Sequence, residues 1–454
     1  MTDHDRLSDV VAGGAFELDR CALAARVLLL PPTHPGETPY RDVIAVGVPG
    51  RSGAGQSDDL RHVATPLDAV AAVRAALARA VDRALHGVRR VAVLTGGGVD
   101  SSALLALAVE RARRAGGTAF GVALDFGGPG DDRPHLAALE AHLGCEILRV
   151  RPEDAAHRFA LVRAGVDAAP LTWSGGCMEI EMLARARANG AERALMGVGA
   201  DELFDGVPQT LADLARRGDL LDALAAARRL AGFTRPRSPS LAWVLRPLLA
   251  ELLPRRIRAI RAHRTRGSVP AWARPRLRRH AREWRDREIE RTLTKARTSQ
   301  ERFERLDASP SRAHLAWLRH QEQVGSGLER RDPFLDPELV ATVTSLPPAW
   351  LLHCDSRRGL FREAVRGLLP ESLRLRADKA SFEPAFARFL ASAGGCEVLR
   401  DLAGVPRLAA LDLVEPRAFR EAFDAFARHP DDGWGDVWPA ITVEAFLQGR
   451  EGRA

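Results

Sequence analysis

One run of the chain carries residue types that could hold a polyphosphate: Val91-Ala92-Val93-Leu94-Thr95-Gly96-Gly97-Gly98-Val99-Asp100-Ser101-Ser102. Glycines let an anion approach backbone N–H groups closely, because no Cβ intervenes. Thr95, Ser101 and Ser102 add hydroxyls, and Asp100 adds a hard oxygen donor suited to a phosphate-bound Mg²⁺. A second run follows the same plan: Ala194-Leu195-Met196-Gly197-Val198-Gly199-Ala200-Asp201-Glu202-Leu203-Phe204-Asp205-Gly206. With both runs at strand ends of one sheet, Asp100 and Asp201 become joint ligands of one Mg²⁺ on ATP. Taken alone, the first run also fits a plain turn between a strand and a helix.

Such loops need a scaffold that sets them side by side. Thr65 and Pro66 have the types of an N-cap and a first helical residue, and Val70, Val73, Leu77, Val81 and Leu85 follow at helical spacing up to Gly87. Strand 91–94, the glycine turn and a helix to about Arg114 come next. A strand over 119–126, a helix over 134–143 closed by Gly144, a strand over 145–150, a helix over 179–188 and a strand over 193–196 continue the alternation. Apolar strands alternating with helices predict an α/β fold, a Rossmann-like parallel sheet with helices on both faces. In such sheets ligands bind beyond the carboxyl ends of the strands, where the glycine turn sits.

Residues 1–64 are broken by Pro and Gly, and the apolar runs 25–30 and 43–48 read as strands of a small β-rich cap. Residues 65–454 form the main domain. Within it, 207–300 is an Arg-dense helical insertion with one helix over 211–230 and with Trp243, Trp272 and Trp284, read as a solvated decoration of the core. Residues 310–454 read as helical again.

The chain has 454 residues, is 46% hydrophobic, and can bury a large core. Of its 66 basic side chains only Lys295 and Lys379 are lysines. The net charge of +7 invites a nucleic-acid reading, but 6% aromatic content with one tyrosine leaves few stacking platforms, so a solvated Arg-rich surface is the better account. No run of about 18 apolar residues could span a membrane. The acidic start Met1-Thr2-Asp3 lacks a following apolar segment, and the five cysteines are scattered, which together point to a reducing cytoplasm.

The pair of glycine loops resembles the synthetase domain of the glutamine-dependent asparagine synthetase family, whose relatives include β-lactam-forming and carbapenam-forming synthetases and lasso-peptide cyclases. Gly96–Ser101 matches the family's Ser-Gly-Gly-x-Asp-Ser, and Met196–Gly206 its Ser-Gly-x-Gly-x-Asp-Glu-Leu-Phe-Gly-Gly. Two further blocks agree. Arg331-Asp332-Pro333-Phe334-Leu335-Asp336 resembles Arg-x-Pro-Phe-Leu-Asp, and Phe361-Arg362-Glu363-Ala364, Leu369-Pro370 and Arg376–Phe382 resemble Leu-Arg-Glu-Ala…Leu-Pro…Arg-x-x-Lys-x-x-Phe. The resemblance implies an ATP-dependent ligase that turns a carboxylate into an acyl-adenylate, releases pyrophosphate, and passes the acyl group to an amine with release of AMP. It places the nucleotide against Leu94, Thr95, Gly96, Gly97, Gly98, Asp100, Ser101, Val122, Gly197 and Gly199. It makes Asp100 and Asp201 the Mg²⁺ ligands and Lys379 the catalytic cation. The composition supports Lys379 independently, because a chain that writes Arg nearly everywhere keeps a compact ammonium there.

Three departures qualify what the resemblance implies. Thr2 stands where the family's glutaminase has its cysteine nucleophile, so the amine is expected from free ammonia, a separate glutaminase, or an amine-bearing small molecule or precursor peptide. Gly96 replaces the first-loop serine. Val198 replaces the Glu of asparagine synthetases and the Tyr of lactam-forming enzymes, and valine accepts no proton. Glu179, Glu181 and His353 have the residue types of a replacement base, with a structural role the leading reading for each. The segment Pro416–Leu447 loosely resembles the tail of lasso-type cyclases, which favours a specialised-metabolite or peptide-cyclising role. An ammonia-fed asparagine synthetase variant and a catalytically degenerate nucleotide-binding partner protein are the competing readings.

Overall fold

The computed structural model describes residues 6–12, 17–30, 37–41, 43, 63–128, 131–204, 207–234, 249, 252–254, 256–257, 260, 269–290, 310–355, 358–376, 381–430 and 434–451. The described elements begin with α1 (Leu7–Ala12), α2 (Arg20–Val27), α3 (Pro66–Ala84), β1 (Arg90–Leu94), α4 (Val99–Arg114), β2 (Thr118–Leu124), α5 (Arg133–Leu143) and β3 (Ile147–Val150). They continue with α6 (Ala160–Ala164), α7 (Gly176–Ala188), β4 (Arg193–Leu195), α8 (Ala200–Phe204), α9 (Val207–Arg216), α10 (Leu220–Thr234) and β5 (Arg330–Arg331), followed by helices. The five strands run parallel in the order β3-β2-β1-β4-β5.

Both faces of this sheet are apolar, and the period of two along β1 shows why. Val91 and Val93 join one core with Leu77 of α3 and Leu104 of α4. Ala92 and Leu94 join the other, with Leu183 and Ala186 of α7. A strand buried on both sides must be continuously apolar, as this one is. From β1 the sheet grows one way through β2 and β3 and the other way through β4 and β5. Strand order therefore reverses between β1 and β4, the place where such sheets take ligands beyond their strand ends.

Local signals hold where side chains set the backbone. Thr65 accepts the Asp68 N–H, and the Asp68 carboxylate accepts the Thr65 N–H, a reciprocal cap ahead of Pro66. Gly144 closes α5 in the left-handed conformation.

Other expectations are corrected. Among the described residues ahead of Thr65, α1 and α2 replace a β-rich cap; the first half of the run 25–30 lies in α2, and Leu18 and Tyr40 form an isolated bridge. The run 44–48 lies outside the described residues. The single helix over 211–230 is two, α9 and α10, parted at Gly218 with φ +94°. The described part of 207–300 is not only a solvated decoration. Trp272 is fully buried and packs edge-on against Phe419, and Leu277 and Ala281 of the helix Pro275–Ile289 are buried too. Trp243 and Lys295 lie outside the described residues.

Candidate active site

The two glycine loops leave β1 and β4, the strands that flank the order reversal. The Thr95 N–H donates to the Val122 carbonyl at 2.9 Å, carrying the sheet one residue beyond Leu94 before the chain turns. Ser101 Oγ accepts the Gly96 N–H at 3.3 Å and the Thr95 hydroxyl at 3.3 Å, so these hydroxyls brace the loop from within. Gly98 then caps α4 and puts Asp100 in its first turn.

The second loop lies against the first. A Cβ on Gly197 would sit 3.5 Å from the Ser101 nitrogen and 3.7 Å from Asp100 Cβ. Gly199 has φ +96°, and a Cβ there would overlap the Leu335 side chain, so the turn into α8 requires glycine. Below α8, Phe204, Phe334 and Phe361 pack together, with ring centroids 4.7 Å apart for Phe204–Phe361 and 5.6 Å for Phe334–Phe361. Three phenylalanines from separate sequence blocks thus fix the height of Asp201. Asp336 does no chemistry here: it caps the helix Pro337–Ser345 and pairs with Arg83.

Asp100 and Asp201 converge on one guanidinium. Arg358 meets Asp100 Oδ2 at 2.5 Å through one nitrogen and Asp201 Oδ1 through the other. Arg358 holds φ +59° directly ahead of the helix Gly359–Ala364. Sequence reasoning missed it, because one more arginine in this composition carries no signal. Its place three residues before the Phe361-Arg362-Glu363-Ala364 block was the available clue.

The donor set fits Mg²⁺. Asp100 Oδ1 is buried without a hydrogen-bond partner, and both acids offer hard oxygens. Among the described residues no group of three or more His, Cys, Asp or Glu side chains could hold a metal ion. Two carboxylates completed by phosphate oxygens and water suit this ion, which keeps much of its own hydration. Lys379 lies outside the described residues, as do Asp205 and Gly206.

On the Met196 side of the second loop, the alternative bases separate. The Glu181 carboxylate is taken up by Arg158 at 2.9 Å and Arg185 at 2.8 Å, with His157 at 3.3 Å, which makes it an anchor. Glu179 accepts from Trp173 Nε1 at 3.1 Å and touches Glu322. Burial and the neighbouring Glu179 push the Glu322 carboxyl well up, against the opposing pull of Arg330. Arg330 pairs with Glu322 and Asp332 and meets Met196 Sδ at 3.1 Å. His353 lies in the turn Pro348–Asp355, and its side chain is outside the description.

Among the described residues no helix is long and apolar enough to cross a membrane. The family model described as asparagine synthase matches residues 72–448. No curated protein matches the chain.

Proposed function

The chain belongs to the asparagine synthase family, a family of ATP-dependent carbon–nitrogen ligases, and from that premise we propose that it activates a carboxylate by adenylation and joins it to an amine. One observation carries this reading: loops from β1 and β4 bring Asp100 and Asp201 onto a single cation, Arg358, beside a run of glycines.

The proposed reaction begins when a substrate carboxylate oxygen attacks the α-phosphorus of ATP. The bond to the bridging oxygen breaks and pyrophosphate leaves. The amine nitrogen then attacks the acyl carbon, the mixed anhydride opens, and AMP departs with the electron pair. Both partners of the first step are anions, so opposing charge must be supplied in advance. Backbone N–H groups of the Gly96–Gly98 loop would meet the polyphosphate, and Asp100 and Asp201 would hold Mg²⁺, which when bound would neutralise phosphate charge. Arg358 presents a planar fork that matches phosphate oxygens as well as it matches the two carboxylates. Lys379 adds the compact cation that the family resemblance assigns to it.

Val198 supports an amine other than ammonia, because it accepts no proton where asparagine synthetases place a glutamate. A role in specialised-metabolite or peptide macrolactam formation follows from this departure and from the Pro416–Leu447 likeness. The separate glutaminase or precursor-peptide partner and the cytoplasmic setting belong to the same reading.

Carboxylate-dependent exchange of labelled pyrophosphate into ATP tests it, together with product analysis. The wild type should exchange with a carboxylate from a panel of amino acids and peptides and should form AMP, and Asp100→Asn should lose at least about a hundredfold, since one preorganised charged contact at a reacting phosphate is worth that much. Turnover to ADP and phosphate, or full activity in Asp100→Asn, would overturn the assignment. AMP formation from aspartate plus ammonium would move the substrate back to that of an ammonia-fed asparagine synthetase.

A further inference from the structure

Three residues before Lys379, the Arg376 side chain reaches back into the first glycine loop. It is almost wholly buried, and its Nη1 donates to the Gly97 carbonyl at 3.0 Å and to Asp132 Oδ1 at 2.6 Å. Beneath this pair Gly97 holds φ +61°, where a side chain would be strained. A Cβ on Gly97 would sit 3.0 Å from Arg376 Nη1 and 3.1 Å from Asp132 Oδ1, and one on Gly96 would sit 3.4 Å from Asp132 Oδ2.

The bond to Gly97 has a directional consequence. In a trans peptide the carbonyl and the following N–H point to opposite sides. Capturing the Gly97 carbonyl therefore turns the Gly98 N–H away from Arg376. The same residue is tied at its backbone. Arg362 Nη2 donates to the Arg376 carbonyl at 2.8 Å, and Arg362 also bonds the Arg374 carbonyl. Arg374 returns a bond to the Arg362 carbonyl at 3.2 Å and pairs with Glu363 at 2.8 Å. Arg362 and Glu363 lie in the helix Gly359–Ala364 that begins directly after Arg358. One knot of side chains thus links the glycine loop, through Arg376, to the helix that begins directly after Arg358.

We propose that Arg376, held by Asp132, is a positioning residue that orients the Gly97–Gly98 peptide for the polyphosphate. This rests on the nucleotide-binding reading above. Asp132 serves as the counter-charge that keeps the guanidinium over the loop.

Binding of Mg·ATP, measured by calorimetry beside thermal melting, tests it without knowledge of the acyl donor. Arg376→Gln should weaken Mg·ATP about ten- to hundredfold, the range for one lost charge-assisted hydrogen bond. Arg376→Lys should recover part of that loss. Asp132→Asn should weaken binding less, and the double variant should bind no worse than Arg376→Gln, because both act through one contact. If Arg376→Gln does not fold, Arg376→Lys and Asp132→Asn carry the same comparison. Variants that lower the melting temperature while binding Mg·ATP within about twofold of wild type would reduce Arg376 to a packing role and overturn the proposal. A wild type that does not bind Mg·ATP would overturn the nucleotide reading and this inference with it.

Discussion

The two glycine loops meet at one site but are held by different forces. The loop after β1 is held by hydrogen bonds: Gly96 to Ser101, Arg376 to Gly97, Thr95 to Val122. The loop after β4 is held by packing: Leu335 against Gly199, and the Phe204, Phe334 and Phe361 rings beneath α8. Hydrogen-bonded groups can exchange partners for phosphate oxygens at little net cost. Close-packed rings cannot shift without opening a void. The first loop is thus the adaptable half of the cradle, and the second is the fixed wall that carries Asp201.

The strongest way to break this comparison is to remove a ring. Phe204 is fully buried, and Phe204→Ala should cost about 3–5 kcal/mol, the usual range for emptying such a site. Equilibrium denaturation with urea measures it. A loss below about 1 kcal/mol would mean that packing does not hold the second loop.

That contrast also explains what the sequence disclosed. Elements set by short-range rules were legible: the Thr65 cap, the left-handed Gly144, and the alternating burial of Val91–Leu94. The edge strand β5 was not, because Arg330 and Arg331 are two basic residues with no apolar alternation, and its place follows from pairing with Ala194 and Leu195. At the site, Asp100 and Asp201 stood out through the glycines around them. Arg358 and the Arg376–Asp132 pair did not. Arginine is the common basic residue of this chain, and Asp132 lies 244 positions from its partner, so neither composition nor local spacing joins them.

An anchor outside both loops serves as a control of intermediate size. Asp167, at φ +49°, accepts the N–H groups of Leu7 at 3.0 Å and Ser8 at 2.9 Å and meets His320 Nε2 at 2.6 Å. Burial alone would raise its carboxyl, but the bonds from His320, Ser8 and Leu7 prevail and hold it down at about 2. A depressed carboxylate adds stability above its unfolded value near 3.8, and this is lost as pH falls towards about 2. The contribution is about 2 kcal/mol. Denaturation midpoints measured between neutral and acid pH should show that loss in the wild type and not in Asp167→Asn, with Mg·ATP affinity at neutral pH equal in both. A change in affinity would show that the N-terminal helix communicates with the loops.

The smallest effect sharpens the comparison most. The Ser101 hydroxyl accepts the Gly96 N–H, and Gly96 is exposed to water. Ser101→Ala therefore frees an N–H that solvent can satisfy, and stability should fall by about 1 kcal/mol or less. The ligand sees the loss differently, because a loop no longer braced must be ordered when the polyphosphate arrives, which lowers affinity by about fivefold. Phe204→Ala acts in the opposite proportion, costing much stability. Urea denaturation and Mg·ATP calorimetry on the two variants form one experiment. Proportional losses in both would mean that the loops share a single support, whereas the expected crossing of effects assigns adaptability to the first and rigidity to the second.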